Sequence, residues 1–451
     1  MSERKYFGTD GIRGTANRAP MTVETALRLG RAVATRFNRS GHQARILVGK
    51  DTRLSGYMLE AALVAGITST GANVILLGPL PTPGIAFLTT SMRADAGIVL
   101  SASHNPFEDN GLKVFGHDGF KLPDDVELEL ERIMDNDPSH LLAHGQAIGR
   151  AKRVEDAMGR YVTHLKTMLR SQFDLSGLRI VVDCANGAAY RAAPALFSEL
   201  GAEVIAIGVS PNGTNINDGC GSLHPEAAAA SVREHGANLG VTLDGDADRL
   251  ILLDEHGDPV DGDAVMALCA VDLKEQGQLR GDTVVATVMS NMGLEKALAP
   301  HGIRLERTAV GDRYVVQRMR EGNFNFGGEQ SGHLVFLDHA TTGDGLVAAL
   351  QVLNVMQARQ RPLSELARIM TRYPQVLINH RVTEKRPIAS LPRVTSAIAD
   401  VESRLGSDGR VLVRYSGTES KVRVMLEGPD DAVIRPMAHE IISAFDAELG
   451  R

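Results

Sequence analysis

Three stretches of this chain follow one plan, and that plan limits the folds open to it. Each begins with an apolar strand and a polar loop, at residues 46–53, 180–187 and 284–291. Each continues through a helical stretch to a second strand, at 73–78, 203–208 and 303–308. A third strand follows and stops in a polar cluster, at 101–106, 244–249 and 327–333. A repeat of this size marks related units. In an open parallel sheet ligands sit beyond the carboxyl ends of the strands, so the three clusters should face one shared cleft; sheets of mixed strand direction fit the pattern nearly as well. After Tyr373-Pro374 the pattern changes to alternating strands at 376–382, 409–414 and 421–427, with helical stretches at 391–405 and 431–449. The expected architecture is α/β: three related α/β domains with mixed sheets plus a smaller C-terminal α+β domain around a central cleft. The expected boundaries are 1–155, 156–254, 255–371 and 372–451.

Length and charge agree with this division. The 451 residues exceed what one core supports, since domains run to roughly 100–150 residues. With 48 basic against 55 acidic side chains the net charge is −7, and no basic block appears, which argues against nucleic acid and against anionic membranes as partners. No apolar run is long enough to span a bilayer, and the charged start Met1-Ser2-Glu3-Arg4-Lys5-Tyr6 lacks the apolar core of a secretory signal. A cytoplasmic location is expected. Cys184, Cys220 and Cys269 are odd in number and far apart, so they read as free thiols. Thr22 is placed to cap a helix that follows it, and the stretches 55–71, 124–139 and 156–170 also read as helical.

The chemistry lies in the clusters. Gly97-Ile98-Val99-Leu100-Ser101-Ala102-Ser103-His104-Asn105-Pro106 runs an apolar strand into a turn that presents Ser103 beside the His104 imidazole, the arrangement of a nucleophile. Asp244-Gly245-Asp246-Ala247-Asp248-Arg249 ends another strand with carboxylates at alternate positions and one fixed cation, a cage for a hard divalent ion. Glu255 completes the spacing of a calcium loop, but Arg249 stands where that loop needs glycine and Leu250-Ile251-Leu252-Leu253 reads as strand. Arg414-Tyr415-Ser416-Gly417-Thr418-Glu419-Ser420 joins two strands and offers a guanidinium, hydroxyls and glycine backbone suited to a phosphate dianion. A reactive serine with a divalent-cation cage suggests phosphoryl transfer.

In their order, the serine turn, the aspartate triplet, Gly328-Glu329-Gln330-Ser331-Gly332-His333 and the Arg414 loop resemble the α-D-phosphohexomutase superfamily across nearly the whole chain. Gly8-Thr9-Asp10-Gly11-Ile12-Arg13-Gly14, Gln330 and Val310-Gly311-Asp312-Arg313-Tyr314-Val315 resemble its bacterial members that act on glucosamine phosphates. The resemblance implies an enzyme of four domains that interconverts glucosamine 6-phosphate and glucosamine 1-phosphate, a step towards UDP-N-acetylglucosamine and the bacterial cell wall. It implies a phosphoserine at Ser103, with Mg²⁺ held by Asp244, Asp246, Asp248 and a phosphoserine oxygen. It implies sugar contacts from Glu329 and Ser331, substrate contacts from Arg13, Gly311 and Asp312, and a phosphate grip from Arg414, Ser416, Gly417, Thr418 and Arg423. Ser420-Lys421 stands where the family loop closes on proline. A homodimer is compatible with the resemblance.

O1 and O6 of a hexose lie at opposite ends of the ring, so a single rigid attack cannot move a phosphoryl group between them. A 1,6-bisphosphate that forms on the enzyme, reorients and returns its other phosphate to Ser103 meets this need. Arg249 would orient the transferring group, and Lys113, beside other cations, or His333 would move the proton. Three other readings stay open: a serine-dependent metallophosphatase, a catalytically silent sugar-phosphate sensor, and a mutase for glucose or mannose phosphates.

Overall fold

The computed structural model describes residues 4–39, 41–136, 139–416 and 420–450. The first sheet contains β1 (Ile12–Thr15), β2 (Arg45–Lys50), β3 (Asn73–Pro79), β4 (Ala96–Leu100), β5 (Asp109–Gly116) and β6 (Ala151–Arg153), in the order β1-β5-β4-β2-β3-β6. The second contains β7 (Arg179–Asp183), β8 (Glu203–Ile207), β9 (Leu239–Leu243), β10 (Leu250–Leu253) and β11 (Pro259–Val260), in the order β11-β10-β9-β7-β8. The third contains β12 (Thr283–Thr287), β13 (Arg304–Thr308), β14 (Phe326–Gly328) and β15 (Leu334–Phe336), in the order β13-β12-β14-β15.

The repeat is therefore real at the level of topology. In each sheet the first strand of the copy lies centrally, with the second and third parallel to it on either side. A fourth strand turns back antiparallel on the third, which makes all three sheets mixed. The central strands are buried along nearly their whole length, as expected where helices cover both faces. The third strands β4, β9 and β14 end at Leu100, Leu243 and Gly328, the first two immediately before their polar clusters and the third on the glycines that open its cluster.

Local rules explain the helices that frame the first sheet. Thr22 caps helix Val23–Phe37 by accepting from the Thr25 N–H at 3.3 Å, which satisfies a donor the helix itself cannot. Its neighbour Ser55–Ser69 packs against it so closely that a Cβ at Gly30 would lie 2.5 Å from the Leu63 carbonyl oxygen, and one at Gly66 would lie 2.2 Å from that of Leu27. The other expected helices form over Asp124–Asn136 and Ala157–Lys166, shorter at their ends than the sequence pattern. The cysteines are free.

The fourth sheet is antiparallel: β16 (Gln375–Arg381), β17 (Arg410–Tyr415) and β18 (Lys421–Glu427), ordered β16-β18-β17. Val422, Val424 and Leu426 are buried in a core with residues of helices Pro392–Leu405 and Asp431–Leu449. Because side chains alternate along a strand, Arg423 takes the opposite face, directly across from Arg414. This unit is anchored on the third sheet's domain: the buried Glu427 carboxylate accepts from the Asn291 side chain at 3.3 Å and the Met292 N–H at 3.0 Å. No helix among the described residues is long and apolar enough to cross a membrane.

Candidate active site

Ser103 sits in the left-handed region, φ +52°, a conformation that costs a residue with a Cβ about 1–2 kcal/mol. Neighbours hold it there. Its N–H donates to Ser101 Oγ at 2.9 Å, and Ser101 Oγ donates to Asp51 Oδ2 at 2.6 Å. Its carbonyl accepts from Arg53 Nη2 and from Asn217 Nδ2, both at 2.9 Å. Arg53, only 1% exposed, also donates to the carbonyls of Asn105 at 2.8 Å, Asp109 at 3.0 Å and Pro106, and pairs with Asp51 at 2.8 Å. One guanidinium thus ties the whole serine loop to the end of β2.

The clamp aims Ser103 at the second domain. Its Oγ donates to Asp244 Oδ2 at 2.5 Å and lies 3.5 Å from Asp248 Oδ1 and 3.4 Å from His104 Nδ1. Asp244, Asp246 and Asp248 are all buried, each with a carboxylate oxygen within 4.8 Å of the others. Three carboxylates so close are not stable with three full charges. Burial, then the charges of Asp248 and Asp246, push Asp244 well above the usual carboxylate range. Burial alone would raise Asp248 too, but Lys113 and His333 hold it well below that range. Asp246 Oδ2 accepts from Thr82 Oγ1 at 2.7 Å and Lys113 Nζ at 2.9 Å, while its Oδ1 is buried with no partner. An all-oxygen donor set with an orphaned buried carboxylate oxygen fits a hard divalent cation.

Lys113 is 1% exposed and stands among carboxylates: Asp246, Asp10 at 3.4 Å and Asp248 at 3.7 Å. The sequence reading placed it beside other cations. Burial opposes its charge, but Asp10, Asp246 and Asp248 outweigh burial and raise its pKa, so it is held as ammonium. His333 is equally buried; its Nε2 accepts from the Gly343 N–H at 3.2 Å, and its Nδ1 faces Asp248 at 3.7 Å. Burial, with Arg249 and Arg13 nearby, lowers His104 to about 4, leaving it neutral at neutral pH and better suited to hydrogen bonding than to accepting a proton.

Arg249 caps the triplet with its N–H on Asp244 Oδ1 at 3.2 Å, while its buried Nε has no partner. Arg13 comes from β1, hydrogen-bonded to the Ala102 carbonyl at 3.3 Å and paired with Asp10. Glu329, 9% exposed, accepts from the Gly311 N–H at 3.2 Å and lies 3.4 Å from Ser331 Oγ. Gly11 cannot be replaced here: φ is +76° and a Cβ would lie 2.4 Å from the Leu112 carbonyl oxygen.

These groups line a cleft of about 430 Å³ whose walls include Arg13, Ser103, His104, Asp248, Arg249, Gly311, Asp312, Glu329 and His333, a size suited to a small ligand. Lys113, Asp244 and Asp246 are buried behind that wall through their contacts with Asp248, Ser103 and Asp10. Ser331 lies at an exposed position beside it. Arg414 and Arg423 are not among the lining residues; Arg414 reaches the third domain, Nη2 3.8 Å from Met289 Sδ. Ser416 is buried, with its N–H on the Lys421 carbonyl at 2.8 Å. Gly417 and Thr418 lie outside the described residues. Sequence reasoning missed Arg53, Asp51, Thr82, Asn217, Asp10 and Lys121. Asp51, Arg53 and Asp10 lay inside motifs already noted, whereas nothing local marks Asn217 or Lys121.

Comparison with known proteins agrees with this geometry. Models of the four phosphoglucomutase/phosphomannomutase domains match residues 4–140 (domain I), 159–257 (domain II), 261–373 (domain III) and 377–444 (C-terminal domain). A phosphoglucosamine mutase of Geotalea daltonii is 58% identical over 448 residues, covering 99% of both chains. One from an Anaeromyxobacter species is 60% identical over 452 residues, covering 99% of this chain and 96% of its own. Among solved structures, a phosphoglucomutase/phosphomannomutase family protein of Burkholderia thailandensis shares the fold with a TM-score of 0.80 at 24% identity, covering 98% and 97%. The N-acetylphosphoglucosamine mutase of Aspergillus fumigatus, solved with GlcNAc-6P and magnesium, shares it with a TM-score of 0.67 at 17% identity, covering 99% and 96%. The chain belongs to the phosphoglucosamine mutase family of the α-D-phosphohexomutase superfamily.

Proposed function

We propose that this chain interconverts glucosamine 6-phosphate and glucosamine 1-phosphate in the cytoplasm, through phospho-Ser103 and glucosamine 1,6-bisphosphate, towards UDP-N-acetylglucosamine and cell-wall synthesis. The observation that carries the reading is the Ser103 hydroxyl held 2.5 Å from Asp244 at the mouth of a three-carboxylate cage. In the forward direction the Ser103 Oγ–P bond breaks as the sugar's O1 takes the phosphoryl group. The bisphosphate then turns, and its 6-phosphate returns to Ser103. Mg²⁺ held by Asp244, Asp246, Asp248 and a phosphoserine oxygen would neutralise charge on the transferring group.

The remaining work falls to the chain's own residues. Arg249 and Arg13 present cations along the transfer path. Lys113, kept protonated by its carboxylates, gives its proton to Ser103 Oγ as that oxygen leaves phosphorus and takes up the proton that the attacking sugar hydroxyl releases, so it ends each transfer as ammonium. His104 stands beside the serine hydroxyl, and His333 braces Asp248 of the cage from behind. Glu329 and Ser331 take sugar hydroxyls or the amine, with Gly311 and Asp312 beside them. Arg414, Ser416, Gly417, Thr418 and Arg423 grip the phosphate that does not react, which requires the C-terminal domain to move towards the cleft.

The test is kcat/KM for glucosamine 6-phosphate and glucose 6-phosphate with Mg²⁺ and a trace of the matching bisphosphate, while free phosphate is assayed. A strong preference for the amino sugar without phosphate release supports the assignment. Preference for glucose would make the chain a glucose mutase, and phosphate release at the rate of isomerisation would make it a phosphatase.

A further inference from the structure

We infer that Lys121 is a positioning residue that couples the sugar-binding side of the cleft to the phosphoryl-transfer side; the inference rests on the mutase reading above. Lys121 lies just beyond β5, outside every motif recognised in the sequence. Its ammonium donates to Asp10 Oδ1 and also to Asp312 Oδ2, and its side chain is only 14% exposed. Asp10 belongs to the first domain and Asp312 to the third, so this one cation joins two carboxylates from facing walls of the cleft.

Each carboxylate leads to a different part of the chemistry. Asp10 also pairs with Arg13 and stands 3.4 Å from Lys113 Nζ, on the side where phosphate is transferred. Asp312 follows Gly311, whose N–H holds Glu329 Oε1 at 3.2 Å, on the side where the sugar is read. Gly311 has φ +131°, a conformation open to glycine, so where its N–H points depends on how its neighbour Asp312 is held. Lys121 supplies the tether. Without it two partly buried carboxylates, 20% and 15% exposed, lose their shared counter-ion: Asp10 falls back on Arg13 and Lys113, Asp312 is left with the His333 ring 3.7 Å away, and the turn at Gly311 releases Glu329.

Loss of Lys121 does not part the two domains. Arg313 still pairs across the same seam with Glu127 at 2.6 Å and with Asp124, and Thr341 Oγ1 still donates to the Gly119 carbonyl at 2.5 Å. The bridge therefore sets side-chain positions within an interface that has other ties.

The experiment compares Lys121→Met, Lys121→Arg, Asp312→Asn and the double variant Lys121→Met/Asp312→Asn, using whichever hexose 6-phosphate the unmutated chain turns over fastest. A wrong sugar assignment then shows in the unmutated chain alone and leaves this comparison intact. Folded fraction is measured for each variant by thermal melting. The expected result is a KM raised about tenfold or more in Lys121→Met with a smaller fall in kcat, substantial recovery in Lys121→Arg, and a double variant within about twofold of Lys121→Met, because both changes break one unit. A KM unchanged in Lys121→Met, with kcat lowered only as the folded fraction falls, would overturn the inference. So would effects of the two single changes that multiply in the double variant.

Discussion

Replacing Arg53 by Met should separate the holding of the serine loop from the chemistry of the serine itself. Methionine keeps the length of the side chain and removes every donor. Asp51 then loses its cation inside the protein, a change that costs about 3–5 kcal/mol for a buried pair. Burial already pushes the Asp51 carboxyl upward against the pull of Arg53, so in the variant it takes up a proton and the cost settles within that range. The carbonyls of Pro106 and Asp109 lose the donor they had in Arg53, while those of Ser103 and Asn105 keep Asn217 Nδ2, at 2.9 and 3.1 Å. The loop therefore loosens without losing its course. Ser103 can relax from φ +52°, and the 1–2 kcal/mol gained by leaving that region reduces the poised population by about five- to thirtyfold. The assay is denaturant unfolding together with turnover per folded molecule. Arg53→Lys should regain much of the stability through Asp51 but little of the activity, because one ammonium cannot span the carbonyls that the guanidinium fork reaches. Turnover per folded molecule within twofold of the unmutated chain in Arg53→Met would refute this account of the clamp.

Removing divalent cations with a chelator should abolish turnover and Mg²⁺ should restore it, while Asp246→Asn should weaken Mg²⁺ binding, measured by calorimetry, by at least about tenfold. Asp263 lies under the junction with the C-terminal domain, wholly buried, with Oδ2 accepting from the Asn291 N–H at 2.8 Å and Oδ1 unpartnered. Burial raises its carboxyl to about 7. A carboxyl raised on folding contributes full stability below its unfolded pKa near 4 and loses it as pH climbs through about 7. Asp263→Asn should accordingly be more stable than the unmutated chain at pH 8, by up to about 4 kcal/mol, and lose that advantage near pH 4; equal melting profiles across this range would show the carboxylate to be compensated.

How far the sequence could be read depended on where each partner lies along the chain. The threefold repeat was legible because every copy ends its third strand in consecutive polar residues, and β4, β9 and β14 do stop at those clusters. The edge strands β1 and β6 were not, since Ile12–Thr15 sits in a glycine-rich motif and Ala151–Arg153 is short and fully exposed. The serine and the aspartate triplet could be picked out because nucleophile and cage each need neighbouring residues. What supports them could not, because those contacts join distant positions: Arg53 lies 50 residues before Ser103, Asn217 lies 114 residues after it, and Lys121 lies 191 residues from Asp312. The surroundings of Lys113 were misread for the same reason, since Asp10, Asp246 and Asp248 converge on it from loops distant in the chain.

The claim on which the rest depends is that Ser103 carries the phosphoryl group to the sugar. The direct measurement starts from the chain phosphorylated on Ser103 with labelled phosphate, freed of excess label and mixed with unlabelled glucosamine 6-phosphate and Mg²⁺ in a single turnover. The account predicts that label leaves the protein and appears in glucosamine 1,6-bisphosphate and then in monophosphate, with Ser103→Ala neither labelled nor active. Label appearing as inorganic phosphate, or turnover that persists in Ser103→Ala, would contradict it.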